Sequence, residues 1–220
     1  MMLDWLLPPR CAGCGQVGTR WCQQCIEKCV LVGEGVCSLC GKRSQVPGDT
    51  HRCARKNHLH QAYAWGKYQE PLSRAIKRLK YSRDIGLGDA LAQHLLQLVH
   101  RNQLEADVVV PVPLARKRQQ ERGYNQAVLL ARSLAFALGM EFRPKAVVRV
   151  RETASQVGLS LEQRQMNVAG AFRAAPASVA GKAVLLVDDV LTTGATLDAT
   201  AEALGQAGAT RIDAVVVARA

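Results

Sequence analysis

Two aspartates stand side by side in VLLVDDVLTTGAT, residues 184–196, between an apolar run and a loop of small residues. Adjacent carboxylates repel, so a cation or a set of hydroxyl donors must face Asp188 and Asp189. The following loop offers backbone amides and the hydroxyls of Thr192, Thr193 and Thr196, with Gly194 and Ala195 letting the chain curl tightly. A helix starting directly after it would aim its positive end at the same point, making an anion cradle suited to phosphate. Carboxylates one short loop away can accept hydrogen bonds from two neighbouring sugar hydroxyls. Residue chemistry therefore predicts a sugar phosphate with a vicinal diol, of the ribose 5-phosphate kind. The stretch is not a Walker loop, since no GK[ST] follows, and not a GxGxxG dinucleotide loop. A surface Asp-Asp turn before a threonine-rich helix cap is the bland alternative.

The second chemical signal is sulfur. All eight cysteines lie within the first 53 residues. CAGC (11–14) and CQQC (22–25) each place two thiols on a tight knuckle, and two knuckles make a tetrahedral Zn²⁺ site from Cys11, Cys14, Cys22 and Cys25. Gly13 and Gly15 relieve crowding as backbone amides turn toward the sulfurs. CSLC (37–40) is a third knuckle. A second site would take Cys37, Cys40, Cys53 and a histidine, His51 first and His58 second, while Cys29 reads as a buried or free thiol. The knuckles pair in linear order or interleave, and spacing admits both. Four sulfurs leave no open position, so the metal's role is structural.

Elements must position these groups. Residues 1–60 are cysteine-rich and short of apolar periodicity, a chain too small to fold on its own core, hence the need for a metal staple. From residue 61 the pattern becomes strand (62–68), helix (71–82), helix (88–101), strand (106–113), helix (125–139), strand (145–150), strand (183–189), helix (196–209) and strand (211–218). Asn125 fits an N-cap and Gly139 the residue past the helix end. Apolar strands alternating with helices predict a parallel sheet covered on both faces.

Charge narrows the partners. Lysine and arginine exceed aspartate and glutamate by 4 in residues 1–60, by 5 in 61–125 and by 2 in 126–220. A basic surface there suits polyanions such as nucleic acid or phosphorylated metabolites. On the 71–82 helix, Arg74, Lys77, Arg78 and Lys80 are the expected contacts to single-stranded DNA, with Trp65, Tyr68 or Tyr81 as stacking partners. The opening MMLDWLLPP lacks the positive start of a signal peptide, and VVVPVPLA (108–115) is too short and proline-broken to span a bilayer. No membrane insertion and a cytoplasmic location are the expectation.

VLLVDDVLTTGAT resembles the phosphoribosyl-pyrophosphate (PRPP) motif of type I phosphoribosyltransferases at each class-defining position. That likeness implies that Thr192, Thr193, Gly194, Ala195 and Thr196 bind the 5-phosphate and that Asp188 and Asp189 contact the ribose 2′- and 3′-hydroxyls. More narrowly, the whole chain is similar to the ComF family of competence proteins, through the CxxC pairs, VPVPL (110–114), ERGYNQA (121–127) and TASQVGLSLEQRQMNVAGAF (153–172). It departs from that family at the fourth knuckle, where Cys53 stands without a CxxC partner.

The ComF likeness implies a double zinc ribbon over 1–60 and, over 61–220, a type I phosphoribosyltransferase-like α/β domain, a parallel sheet flanked by helices. The loop VPVPLARKRQQERGYNQ would hold pyrophosphate, with Arg116, Lys117, Arg118 and Arg122 supplying charge and Gly123 permitting close backbone approach. The stretch 151–167 would be a flexible hood whose Arg164 and Gln156 close onto it. Asp188, Asp189 and Arg164 are then the candidate catalytic residues for displacement at C1′ of PRPP, with Mg²⁺ carried on the diphosphate. A role in natural transformation and DNA uptake follows, with single-stranded DNA and a DNA-uptake helicase as partners. Three readings stay open: phosphoribosyl transfer to an unknown acceptor, a non-catalytic competence factor binding DNA and partners, and a PRPP sensor.

Overall fold

The computed structural model describes residues 8–33, 58–152 and 161–220. Its elements run α1 (Gln23–Glu27), β1 (Gln61–Lys67), α2 (Leu72–Tyr81), α3 (Leu87–Arg101), β2 (Val108–Pro111), α4 (Arg116–Arg122), α5 (Gln126–Leu138), β3 (Glu141–Phe142), β4 (Val147–Arg149), α6 (Leu161–Val168), β5 (Phe172–Ala174), α7 (Pro176–Val179), β6 (Ala183–Leu191), α8 (Ala195–Gln206) and β7 (Arg211–Arg219).

Five strands form a parallel sheet in the order β1-β7-β6-β2-β3. Because strand side chains alternate, the valine and leucine runs of β2, β6 and β7 feed two cores at once. Val109, Leu185, Val187, Val215 and Val217 pack with leucines of α2, α3 and α5 on one face. Val108, Val110, Leu186, Ala214 and Val216 pack with Leu197, Ala201 and Leu204 of α8 on the other. The antiparallel pair β4-β5 joins this second core through Val147 and Phe172. Asn125 caps α5 by accepting from the Ala127 N–H, and Gly139 closes that helix at φ 65°, both as the sequence implied.

Three differences matter for the site. β6 continues to Leu191, so Asp188 and Asp189 lie within its last turns of pairing with β7, not beyond its end. α8 begins at Ala195, which shortens the loop after β6 to Thr192, Thr193 and Gly194. The stretch expected to be a pyrophosphate loop is helical from Arg116 to Arg122, with Gly123 in the left-handed region at φ 82° as its cap. Within 151–167, the described part carries α6.

The cysteine-rich segment does not stand apart. Cys11, Ala12, Trp21, Cys22 and Cys25 share one buried cluster with Trp65, Leu72 and the leucines of α3. Residues Val30 and Val32 exchange backbone hydrogen bonds with β1, laying an antiparallel stretch along its outer edge and covering it. Trp21 Nε1 donates to His94 Nε2 at 2.9 Å, and the Trp65 ring stacks on the same imidazole with centroids 3.7 Å apart. Trp65 is therefore buried in this latch and unavailable to stack on a DNA base.

His94 gives the latch a pH dependence. Burial holds its pKa down at about 4, against the opposing pull of Gln97. A folded pKa below the unfolded ~6.5 means the unfolded chain binds the extra proton. Stability is then fully present above ~6.5 and falls as pH drops toward 4, by up to ~3 kcal/mol. His94→Phe keeps the stack and should flatten that slope in urea titrations of zinc-loaded protein. Identical pH dependence in the two proteins would contradict this assignment.

Candidate functional site

Four sulfurs converge at the knuckles. Cys11 Sγ lies 3.5 Å from Cys22 Sγ and 3.7 Å from Cys25 Sγ, and Cys14 Sγ lies 3.6 Å from Cys22 Sγ. A tetrahedron with Zn–S bonds of ~2.3 Å has edges of ~3.8 Å, whereas disulfide sulfurs sit ~2.05 Å apart. These cysteines are free thiols at zinc spacing. Burial raises the Cys11 thiol, but amide donation from Cys14, Cys22 and Gly13 outweighs it and brings its pKa to about 6. Burial and the neighbouring sulfurs push Cys25 up. Among the described residues this is the one group of three or more His, Cys, Asp or Glu side chains placed to share an ion.

Cys37, Cys40, Cys53 and His51, the expected second site, lie outside the described residues. His58, the alternative ligand, is held at Asp198 through its backbone N–H. Cys29 is the half-buried free thiol the spacing left over, donating to the Cys25 carbonyl.

Gly13 must lack a side chain, since a Cβ there would sit 2.6 Å from Cys25 Sγ. Gly13→Ala should displace that sulfur and cut bound zinc by about one ion per chain, read by metal analysis of purified protein. Full metal content in the variant would show that the knuckle has slack.

At the C-terminal end of the sheet is a cleft of about 310 Å³, where open α/β sheets place ligands. Its wall includes Asp188, Asp189, Thr192, Gly194 and Thr196 from β6, the loop after it and α8, and Arg118, Arg122, Asn125 and Gln126 from α4, the α5 cap and α5. Tyr68, Lys80 and Arg149 complete its polar lining. Gly194, at φ 82°, precedes Ala195, so the first-turn amides of α8 open at the cleft.

The cation demanded by the paired aspartates is Lys80 at the end of α2. Its Nζ lies 2.5 Å from Asp189 Oδ2, while Gln126 Nε2 donates to Asp189 Oδ1 at 3.2 Å. Arg122 in turn donates to Gln126 Oε1 at 2.7 Å and lies over the Tyr81 ring. Burial alone would raise Asp189, but Lys80 outweighs it and holds the carboxyl below its usual range. Asp188 goes the other way: burial and the charge of Asp189 push it well up. The pair is thus split, with the charged form favoured at Asp189 and disfavoured at Asp188.

Of the anion-binding residues inferred from sequence, Asp188, Asp189, Thr192, Gly194, Thr196 and Arg122 line the cleft. Thr193, Ala195, Arg116 and Gly123 are not part of its wall. Thr193 instead supports the turn, its Oγ1 accepting from the Ala195 N–H. Arg116 opens α4, where its own N–H is given to Glu152. Arg164 belongs to α6, but its side chain, like the whole of Gln156, lies outside what the structure describes. Arg118, also expected to supply charge to that loop, lines the cleft, whereas sequence reasoning missed Gln126 and Arg149 and misplaced Lys80.

The proposed DNA face on α2 is largely engaged by the protein itself. Arg74 Nη1 donates to the Gly13 carbonyl at 2.8 Å and pairs with Glu70, and Arg78 pairs with Asp84 at 2.9 Å. Lys80 is turned to Asp189, so of the four Arg74 and Lys77 are exposed, and Arg74 is already paired. Among the described residues no helix is long and apolar enough to cross a membrane.

Comparison with known proteins agrees with this architecture. A family model described as phosphoribosyl transferase domain matches residues 87–220, and one described as double zinc ribbon domain matches residues 2–56. Competence protein F of Haemophilus influenzae is 34% identical, the match covering 90% of this chain and 96% of that protein. DNA utilization protein YhgH of Escherichia coli is 32% identical over 87% of this chain and 93% of its own. Competence protein ComFC of Bacillus subtilis is 26% identical over 85% and 78%. Among solved structures, a glutamine PRPP amidotransferase from B. subtilis aligns with TM-score 0.46 and 23% identity, over 64% of this chain and 30% of that one. An adenine phosphoribosyltransferase aligns with TM-score 0.42 and 23% identity, over 63% and 72%.

Proposed function

This chain belongs to the competence protein F and YhgH family, a double zinc ribbon joined to a phosphoribosyltransferase domain, and we propose that its cleft binds PRPP with Mg²⁺ and transfers the phosphoribosyl group to an acceptor. The observation that carries the reading is the juxtaposition, in one cleft, of an acid pair and a phosphate-type loop with three guanidinium-bearing residues. The loop and the α8 amides would take the 5-phosphate, and Asp188 and Asp189 the ribose hydroxyls. Arg118, Arg122 and Arg149 would meet the diphosphate. Burial depresses the Arg149 pKa, and Arg118 adds to that against the pull of Glu152, so a polyanion between the two guanidinium groups relieves their repulsion. In this reading the guanidinium groups stabilise the leaving diphosphate while positive charge builds on the ribose ring, and Mg²⁺ brought with the substrate supplies further neutralisation. Arg164 and Gln156 would close the hood and exclude water.

The Cys11, Cys14, Cys22 and Cys25 site would hold a structural zinc, and residues 1–60 and 61–220 are taken as the two units. The relatives' names, competence protein and DNA utilization protein, support DNA uptake and use as the cellular setting; a single-stranded DNA or helicase partner would be part of that proposal. Isothermal titration with Mg²⁺–PRPP, followed by a screen for pyrophosphate release over nucleobases and oligonucleotides, tests the reading. Binding and release together establish transfer. Binding without release leaves a PRPP sensor, and absence of binding refutes the assignment of the cleft.

A further inference from the structure

We propose that Lys80 is a positioning residue of this cleft: from the last turn of α2 it holds the Asp189 carboxylate in place as an acceptor for the ligand's diol. The proposal rests on reading the cleft as a pentose-phosphate site. Nothing in the 184–196 motif points to Lys80, which lies 108 residues before Asp188. It also falls in residues 57–86, which neither family model matches.

Three features of the structure carry it. First, α2 is fixed. Leu72, Ala75, Ile76 and Leu79 repeat at helical spacing and are buried, bolting the helix to α3 and the sheet. Arg74 is tied to the Gly13 carbonyl and Arg78 to Asp84, so both sides of the last turns are tethered. Second, Lys80 does not behave as a surface lysine. Its side chain is 19% exposed, and its ammonium sits at the 5% exposed carboxylate of Asp189 instead of reaching for solvent. Third, the geometry leaves Asp189 usable. Lys80 pairs with Oδ2, which is buried from solvent, while Oδ1 accepts from Gln126 and keeps its second acceptor direction for a ligand hydroxyl at the cleft wall.

Without the ammonium, the buried Asp189 carboxylate would face the half-buried Asp188 with no cation beside it, and would have to take up a proton or swing outward. The other groups around the pair cannot replace it. Asp188 is itself an acid, Tyr68 beside Lys80 brings no cation, and Gln126 offers only its amide. Arg122 reaches Asp189 only through Gln126, while Arg118 and Arg149 line the cleft as candidates for the diphosphate.

The test is isothermal titration of the full, zinc-loaded chain with Mg²⁺–PRPP and, separately, with inorganic phosphate. Lys80→Met should weaken PRPP binding by at least about tenfold, and Lys80→Arg should restore most of it. Phosphate affinity should stay unchanged, because the loop after β6 does not use the acid pair. In an Asp189→Asn background, Lys80→Met should have no further effect on PRPP. Should Lys80→Met fail to fold, Lys80→Gln, which keeps a hydrogen bond without the charge, takes its place with the same expected outcomes. Parental PRPP affinity in the methionine variant overturns the role of Lys80 and leaves the pentose-phosphate reading standing. Equal losses for PRPP and phosphate would show a merely structural role and overturn it too. No PRPP heat with the parent protein defeats the reading itself, and the role of Lys80 with it.

Discussion

Replacing Asp188 and Asp189 together by asparagine is expected to abolish the rise in thermal stability that PRPP with Mg²⁺ gives the parent. Ligand at 100 times its Kd stabilises by ~2.7 kcal/mol, which for a chain of this length raises Tm by about 5–10 °C. Each lost charge-assisted hydrogen bond costs ~1.5–3 kcal/mol, so both together remove binding by a factor on the order of 10² to 10⁴. From sequence, the apo variant should be as stable as its parent, since two like charges disappear. The structure reverses half of that expectation. Asp189→Asn strands Lys80 with 19% of its side chain exposed, so this substitution should lower apo stability. Asp188→Asn replaces an acid whose charged form burial and the Asp189 carboxylate already disfavour, and should cost the apo protein little. Asp188→Asn is therefore the variant that separates recognition from folding: near-parental Tm without ligand, and a ligand-induced shift at least halved. An undiminished shift in that variant would mean Asp188 does not meet the ligand.

How much of this was readable without coordinates depends on how local the signal is. The Cys11–Cys25 site is written in two CxxC pairs seven residues apart, and the sulfurs duly converge within 4.8 Å of one another. The strand before the acid pair, the helix after it and the Asn125 cap are equally local, each set by an apolar run or one capping side chain. Lys80 shows the limit. On a helical wheel it belongs with Arg74, Lys77 and Arg78 as a basic surface face, and only the crossing of α2 over the sheet end turns it toward Asp189. The strand over 145–150 is present as β4, but its partner β5 was not legible for a related reason, since the register joins Val147 to Ala174 across an intervening helix. α4 was misread despite an available signal: Arg, Lys, Gln and Glu are good helix formers, and RKRQQER has no breaker before Gly123. The expectation of a phosphate-type loop there outweighed plain propensity.

Removing the metal should reach further than the knuckles. Cys25→Ser, or treatment with a strong chelator, is expected to lose the zinc and lower Tm by on the order of 10 °C or more, because structural zinc binding is folding free energy. Four ligands are not all that is released. Cys11, Ala12, Trp21, Cys22 and Cys25 pack into the same core as Leu72, Ile76 and Leu79 of α2, so the knuckle cannot unravel without exposing that helix. Trp21 would leave His94, and the Gly13 carbonyl would release Arg74. The helix that carries Lys80 then loses one of its tethers, and PRPP affinity should fall severalfold although no residue of the cleft has changed. The near-ultraviolet circular dichroism of Trp21 and Trp65 reports the latch, and titration with PRPP reports the cleft. Loss of both signals on chelation, with recovery on adding back Zn²⁺, is the expected result. A chelated protein that keeps its tryptophan signal and melting temperature would mean the hydrophobic contacts to α2 hold the knuckle without metal. Loss of the tryptophan signal with unchanged PRPP affinity would instead confine the metal to its own segment, since the buried face of α2 would then suffice to hold Lys80 at Asp189.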